Sequence, residues 1–323
     1  MEYVHLGRTG LLVSRLCLGT VNFGPIVEEP EAHRLMDEAL EQGINFLDTA
    51  NSYGGTGNKG HTEQIVGAWL AQGGGRREQT VLATKVYEAM GNGPNTGGLS
   101  ALNIRRALDA SLRRLQTDYI DLYQFHHVDR ATPWDEIWQA VDLAVSQGKI
   151  LYAGSSNFAG WHIAQAQEAA LARHLVGLAS EQSIYNLLRR EVELEVLPAV
   201  RAYGLGLLVW SPLHEGVLGG MAREGRQGSR RLEGRAAEAL AAHHDQLVEY
   251  EQLSAELGRE PAEVALAWLL HQPAVTSPII GPRNQEQLRS AVRATSLTLD
   301  YESLSRLENI FPGHQPAPED YAW

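Results

Sequence analysis

The chain has 323 residues, and its 27 Lys and Arg against 39 Asp and Glu leave a formal net charge of −12. The hydrophobic fraction of 44% is ordinary for a globular protein, and the acidic balance disfavours binding to nucleic acid or to an anionic membrane. No apolar run approaches the roughly 18 residues of a membrane span, and the first residues lack the pattern of a signal peptide. We therefore expect a soluble, cytoplasmic protein whose single cysteine, Cys17, forms no internal disulfide.

The sequence pattern predicts an N-terminal hairpin, from residues 3–5 and 11–13, followed by eight strand–helix units. In chain order, each predicted strand with its helix is 16–20 with 30–42, 44–50 with 61–72, 80–85 with 100–115, 120–126 with 133–147, 150–157 with 160–172, 177–182 with 191–203, 205–211 with 261–271, and 275–281 with 284–293. Further helices are expected at 235–257 and 300–310, and long loops at 86–99 and 214–234.

Strict alternation of strands and helices indicates a parallel sheet, and eight units are the number at which such a sheet closes into a barrel. An open doubly wound sheet is the alternative, but the first turn, GTVNFGPIVEEP, lacks the GxGxxG spacing typical of that fold. We therefore predict an α/β protein with a (β/α)8 TIM barrel, an N-terminal hairpin and extra C-terminal helices. No composition shift marks a second domain, so residues 1–323 are expected to form one.

Four chemically active side chains lie at or just after predicted strand ends, which converge on one rim of a barrel. They are Asp48, Tyr53, Lys85 and His126. A buried Lys85 needs a counter-charge, which Asp48 can supply. The ammonium is expected to lower the pKa of Tyr53, so that its phenol serves as a general acid near neutral pH. His126 is expected to orient a substrate carbonyl or to help donate the proton.

Other residues on the same rim suit a hydride-donating nucleotide. Trp210 offers a flat face for a nicotinamide ring, and Ser156, Asn157 and Gln182 can hold a carboxamide. The remaining candidates suit phosphates: Ser211, the backbone of 213–220, Gly281, where the backbone can approach closely, and Arg283, which can pair with a phosphate at the start of a helix.

These segments together resemble the aldo-keto reductase superfamily over essentially the whole chain. The matching segments are GINFLDTANSYG (43–54), ATK (83–85), DYIDLYQFHH (118–127), GSSNF (154–158), SEQSIYNL (180–187), VWSPL (209–213) and PIIGPRNQEQL (278–288). The resemblance implies a catalytic tetrad of Asp48, Tyr53, Lys85 and His126. It further implies nicotinamide contacts from Ser156, Asn157, Gln182 and Trp210, and pyrophosphate and adenosine contacts from Ser211, Leu213, Gly281, Arg283 and Gln287. Thr20, Asp48 and Gly216 are further candidate cofactor contacts.

The Trp of VWSPL is more similar to the bacterial and potassium-channel β-subunit branch than to the mammalian aldose-reductase branch, which has Tyr there. Two positions depart from the branch pattern: Met221 stands where Lys is common, and Ala291 where an adenine-contacting Asn is common. Arg230 or Arg231 is a possible replacement for the missing phosphate contact. Arg283, as the basic group beside the adenosine end, favours NADPH over NADH.

Candidate pocket residues for the carbonyl substrate are Val21, Phe23, Tyr87 and His127, although packing under a loop is an equal reading for His127. The pairs His126–His127 and His243–His244 lack the ligand spacing of a metal site, so no metal is expected.

The leading functional hypothesis is NADPH-dependent reduction of an aldehyde, ketone or keto-sugar, in a monomer or a homo-oligomer. A slow, NADP(H)-binding regulatory subunit and a Schiff-base enzyme using Lys85 are the alternatives.

Overall fold

Eight parallel strands close into a barrel in the computed structural model, which describes residues 1–222 and 234–322. The barrel strands are β3 (Cys17–Gly19), β4 (Phe46–Asp48), β5 (Val81–Val86), β6 (Ile120–Phe125), β7 (Ile150–Ser156), β8 (Leu178–Ile184), β9 (Gly206–Trp210) and β10 (Val275–Ile280). Each pairs with its neighbours in chain order, and β10 closes the ring against β3. The predicted (β/α)8 fold is confirmed.

The N-terminal hairpin closes one end of the barrel. Strands β1 (Tyr3–His5) and β2 (Leu12–Ser14) pair antiparallel. Leu6, in the turn between them, is fully buried and packs with the interior residues Phe46 and Leu208. The opposite end, where the strands terminate, is therefore the end available for chemistry.

Helices cover the outside of the barrel and pack over the main hydrophobic core. They are α1 (Glu29–Glu41), α2 (His61–Leu70), α3 (Ala101–Leu115), α4 (Trp134–Ser146), α5 (Gly160–Leu171), α6 (Val196–Tyr203), α7 (Gly234–Ala242), α8 (His244–Glu256), α9 (Pro261–His271), α10 (Gln285–Ala294), α11 (Tyr301–Ile310) and α12 (Glu319–Ala322). The Ser100 hydroxyl caps α3 by accepting the Asn103 N–H at 3.3 Å. None of these helices is both long and apolar enough to cross a bilayer.

Two predicted helices are broken in the structure. The predicted helix 191–203 is a short 3₁₀ turn, Glu191–Glu193, followed by α6. Pro198 lies in the first turn of α6, where its missing N–H leaves no bond unmade, whereas a helix from 191 would place it in the interior. The predicted helix 235–257 is two helices, α7 and α8, which meet at the non-helical His243.

The predicted loop 214–234 begins with a 3₁₀ turn, His214–Gly219. Residues 223–233, which include Arg230 and Arg231, lie outside the described residues.

Candidate active site

A short, buried ion pair stands at the centre of the rim. Lys85 is fully buried at the end of β5, and its Nζ lies 2.5 Å from Oδ2 of Asp48, the last residue of β4. The same Nζ donates to the Tyr53 hydroxyl at 3.1 Å and to the Thr49 carbonyl at 3.0 Å. Lys85 therefore joins two of the other residues predicted as catalytic, Asp48 and Tyr53, through direct hydrogen bonds.

Asp48 is held by two glutamine amides as well as by the lysine. Nε2 of Gln124 and Nε2 of Gln182 each donate to Asp48 Oδ1 at 2.9 Å, and Gln182 also donates to Oε1 of Gln124 at 3.1 Å. Sequence reasoning missed Gln124, although a buried polar residue within the apolar run of β6 was a usable signal. Because both of its carboxyl oxygens accept hydrogen bonds, Asp48 is fixed in place beside the ammonium.

The pKa of Lys85 is raised above its ordinary value. Burial alone would lower it, but the charge of Asp48 and the hydrogen bonds to Asp48 and Tyr53 outweigh that effect. Lys85 therefore stays protonated, which disfavours its use as a Schiff-base nucleophile.

The predicted lowering of the Tyr53 pKa is wrong. Burial raises the pKa of this phenol above its ordinary value of 10.0, and the charge of Lys85 only partly opposes that effect. Asp48, which itself raises the Tyr53 pKa, is bound to the same ammonium. A neutral phenol is therefore present throughout the neutral pH range.

His126 follows β6 directly, and its ring lies nearly perpendicular to the Tyr53 ring at a centroid distance of 5.9 Å. Burial, aided by the charge of Lys85, lowers the pKa of His126 to about 2, so the imidazole is neutral. Its Nδ1 is buried without a hydrogen-bond partner among the described residues. Because the strand has already ended, His127 does not point to the opposite side but stacks on His126 at 5.1 Å.

The end of β7 and the end of β9 are joined by side chains proposed for the nicotinamide. Nε1 of Trp210 donates to Asn157 Oδ1 at 2.9 Å, and Asn157 Nδ2 donates to the His126 carbonyl at 3.3 Å. The Ser156 hydroxyl donates to the Gln182 carbonyl at 2.9 Å. Asn157 has a φ of +60°, the left-handed conformation that places its side chain beside the indole. The candidates Ser156, Asn157, Gln182 and Trp210 are therefore brought together.

The segment after β9 is strongly turned. Ser211, His214 and Glu215 all adopt left-handed backbone conformations, with φ values of 52°, 47° and 55°. Non-glycine residues in this conformation are uncommon and tend to cluster at functional sites. Gly216 continues the turn. The side chain of Leu213 packs on the hydrophobic core, and only its backbone belongs to the turn.

The loop after β10 brings its three candidates together. Gln287 Oε1 accepts the Arg283 N–H at 2.8 Å at the start of α10, and Asn22 Nδ2 donates to the Gly281 carbonyl at 3.0 Å. The Arg283 guanidinium has no hydrogen-bond or ion-pair partner within residues 1–222 and 234–322.

The remaining candidates occupy different environments. The Thr20 hydroxyl donates to the Asp48 carbonyl at 3.0 Å, Val21 is half exposed, and Tyr87 packs edge-on against His127 at 5.3 Å. Phe23, in contrast, is fully buried and belongs to the hydrophobic core beneath the first turn, so we do not carry it into the substrate pocket.

No cluster of three or more His, Cys, Asp or Glu side chains is arranged to hold a metal ion in the described part of the chain. The ring of His243 instead bonds Gln246 Oε1 at 2.7 Å, at the start of α8.

Comparison with known proteins places the chain in a family. Residues 15–311 match the model of the aldo/keto reductase family. The "Uncharacterized oxidoreductase YrpG" of Bacillus subtilis (strain 168) is 55% identical over the full length of both chains. A "Probable voltage-gated potassium channel subunit beta" of Oryza sativa subsp. japonica is 34% identical over 99% of this chain and 100% of that one. The "Versiconal hemiacetal acetate reductase" of Aspergillus parasiticus is 33% identical over 96% of this chain and 97% of its own. The chain belongs to the aldo/keto reductase family and is an NAD(P)H-dependent oxidoreductase of carbonyl compounds.

Proposed function

We propose that residues 1–323 act as one domain that reduces an aldehyde, ketone or keto-sugar with NADPH, with Tyr53 as the general acid. The observation that carries this proposal is the position of the Lys85 ammonium, 3.1 Å from the Tyr53 hydroxyl and 2.5 Å from Asp48. When bound, the nucleotide supplies the hydride.

Tyr53 donates the proton. Its raised pKa keeps the phenol intact until the substrate oxygen gains negative charge and becomes the stronger base. Lys85 then stabilises the phenolate, and Asp48 keeps the ammonium charged and directed at the hydroxyl. His126 is neutral, so one ring nitrogen can donate a hydrogen bond to the carbonyl and hold it against Tyr53 without competing as an acid.

The residues of the rim fit the nucleotide. Gln182 Oε1 accepts no hydrogen bond from the described residues, although its Nε2 is fully engaged, so it is available to a carboxamide N–H. Trp210 is held edge-on by Asn157, which leaves the indole face for stacking. The guanidinium of Arg283, which has no partner among the described residues, suits the 2′-phosphate that distinguishes NADPH from NADH.

A carbonyl panel with NADPH tests the proposal. The wild-type protein is expected to consume absorbance at 340 nm with a reactive aldehyde such as 4-nitrobenzaldehyde, and Tyr53→Phe to lose about 10²- to 10⁴-fold in kcat. NADPH binding should stay unchanged in this variant, because no atom of the nucleotide site is altered. Equal turnover by the two proteins across the panel would refute the assignment of Tyr53.

The potassium-channel β-subunit relatives favour one alternative, an NADP(H)-binding regulatory subunit with slow turnover. Slow release of cofactor, with a kcat that stays low for every carbonyl, would favour it. A fast wild-type kcat would exclude it.

A further inference from the structure

Glu181 is a fully buried carboxylate that the proposed reaction does not use. It lies on β8 between Ser180 and Gln182, and since side chains alternate along a strand, it faces away from the barrel interior into which Gln182 points. Its Oε2 accepts the Ser155 hydroxyl at 2.5 Å, and its Oε1 accepts the Ser183 hydroxyl at 2.7 Å. Oε1 also accepts the backbone N–H of Phe158 at 3.1 Å.

These partners are neutral, so the carboxylate carries a cost of burial that no cation offsets at those bonds. Burial raises the pKa of Glu181 to about 7 despite the hydrogen bonds that oppose the shift. A buried polar group that carries such a cost calls for an explanation in the contacts that it makes. Glu181 binds the backbone N–H of Phe158, the residue that directly follows the left-handed Asn157.

The turn 156–158 connects the end of β7 to three other strands, β6, β8 and β9. Asn157 receives the Trp210 indole N–H and donates to the His126 carbonyl, and Ser156 bonds the Gln182 carbonyl. Asn157 has a left-handed φ of +60°, a conformation that asparagine tolerates better than most residues when its side chain is hydrogen-bonded locally. The placement of its side chain therefore depends on how the residues before and after it are held. Bonds to Glu181 hold Phe158 on one side and Ser155 on the other.

We propose that Glu181 is a positioning residue for the nicotinamide half of the cofactor, because its carboxylate fixes the 156–158 turn and thereby the relative placement of Asn157 and Trp210. This inference rests on the proposed NADP(H) function. Glu181 touches neither cofactor nor substrate, because it lies on the opposite face of β8 from Gln182.

Two substitutions of similar length separate hydrogen bonding from packing. Glu181→Met fills the space but accepts no N–H. Glu181→Gln keeps an acceptor for Phe158 and Ser183 and turns its amide toward Ser155, whose hydroxyl can accept as well as donate. Calorimetric titration of each variant uses two ligands: NADP⁺, and 2′-phospho-ADP-ribose, which is the same molecule without the nicotinamide ring.

We expect Glu181→Met to weaken NADP⁺ binding about tenfold or more, since losing a buried hydrogen bond is worth about that factor. Its affinity for 2′-phospho-ADP-ribose should stay within about twofold of the wild type, and Glu181→Gln should recover most of the NADP⁺ affinity. Equal loss of both ligands in Glu181→Met, or no loss of either, would overturn the proposal.

Two further results complete the test. If Glu181→Met does not fold, Ser183→Ala takes its place, because it removes one of the hydrogen-bond donors to the carboxylate. This variant should show a smaller loss of affinity, confined to NADP⁺. Equal losses of affinity for both ligands would again count against the proposal. A wild-type protein that binds neither nucleotide would overturn the proposed function, and with it this inference, whereas wild-type binding with an unaltered Glu181→Met overturns the inference alone.

Discussion

Removing the charge of Asp48 isolates the energetics of the buried pair. In Asp48→Asn the fully buried Lys85 loses the counter-ion that lies 2.5 Å from its Nζ, while the shape of the side chain is kept. Leaving one member of a buried pair uncompensated typically costs about 3–5 kcal/mol in the free energy of unfolding. The same substitution at Asp109 breaks a Lys–Asp pair of 2.7 Å with Lys149, but both side chains there are 35% exposed. That loss should stay below about 1 kcal/mol.

Urea unfolding at pH 7, followed by fluorescence and circular dichroism together, measures both losses. The pH dependence supplies a second check. Without Asp48, burial lowers the pKa of Lys85 below its value in the unfolded chain, so the folded variant binds fewer protons and gains stability as pH rises toward 10. The gap between the wild type and Asp48→Asn should therefore narrow with rising pH. Similar losses at positions 48 and 109, or a gap independent of pH, would refute the reasoning.

Three further predictions concern other parts of the molecule. Because burial raises the pKa of Glu181 from 4.5 to about 7, its ionised form lowers the free energy of unfolding by about 3 kcal/mol above pH 7, at about 1.4 kcal/mol per pH unit, and has no such effect below pH 4.5. Glu181→Gln should therefore raise the urea midpoint at pH 8 and not at pH 4.5. A gain of equal size at both pH values would contradict this reasoning. Since the pKa of His126 is about 2, kcat/KM should show no imidazole titration between about pH 5 and 8; an inflection that His126→Asn abolishes would count against a neutral ring. Arg190→Met removes guanidinium hydrogen bonds of 2.8 Å to Glu193 and 2.7 Å to the Phe311 carbonyl. It should lower the free energy of unfolding by about 3 kcal/mol and speed proteolysis of the C-terminal segment. An unchanged cleavage rate would show that other contacts hold this segment.

Much of the site could be predicted because the positions of strand ends are a matter of topology. Once eight strand–helix units close into a barrel, Asp48 and Lys85 must converge on one rim, whatever the details of packing. Gln124 was not predicted from the sequence, for the opposite reason. A glutamine inside an apolar strand has no meaning until the neighbouring strands are in register, which places it within 2.9 Å of Asp48. The partners of Glu181 likewise become visible only in three dimensions.

The sequence by itself determined the barrel, its hairpin and the set of residues that meet at the strand ends, because periodicity and alternation are local properties of the chain. Tertiary structure alone decided the direction of the Tyr53 pKa shift, the stacking of His127 on His126 and the burial of Phe23. Each of these depends on how far water is excluded and on distances between groups remote in sequence. Electrostatic balances are small differences between large opposing effects, and their signs follow only when all the distances are set together.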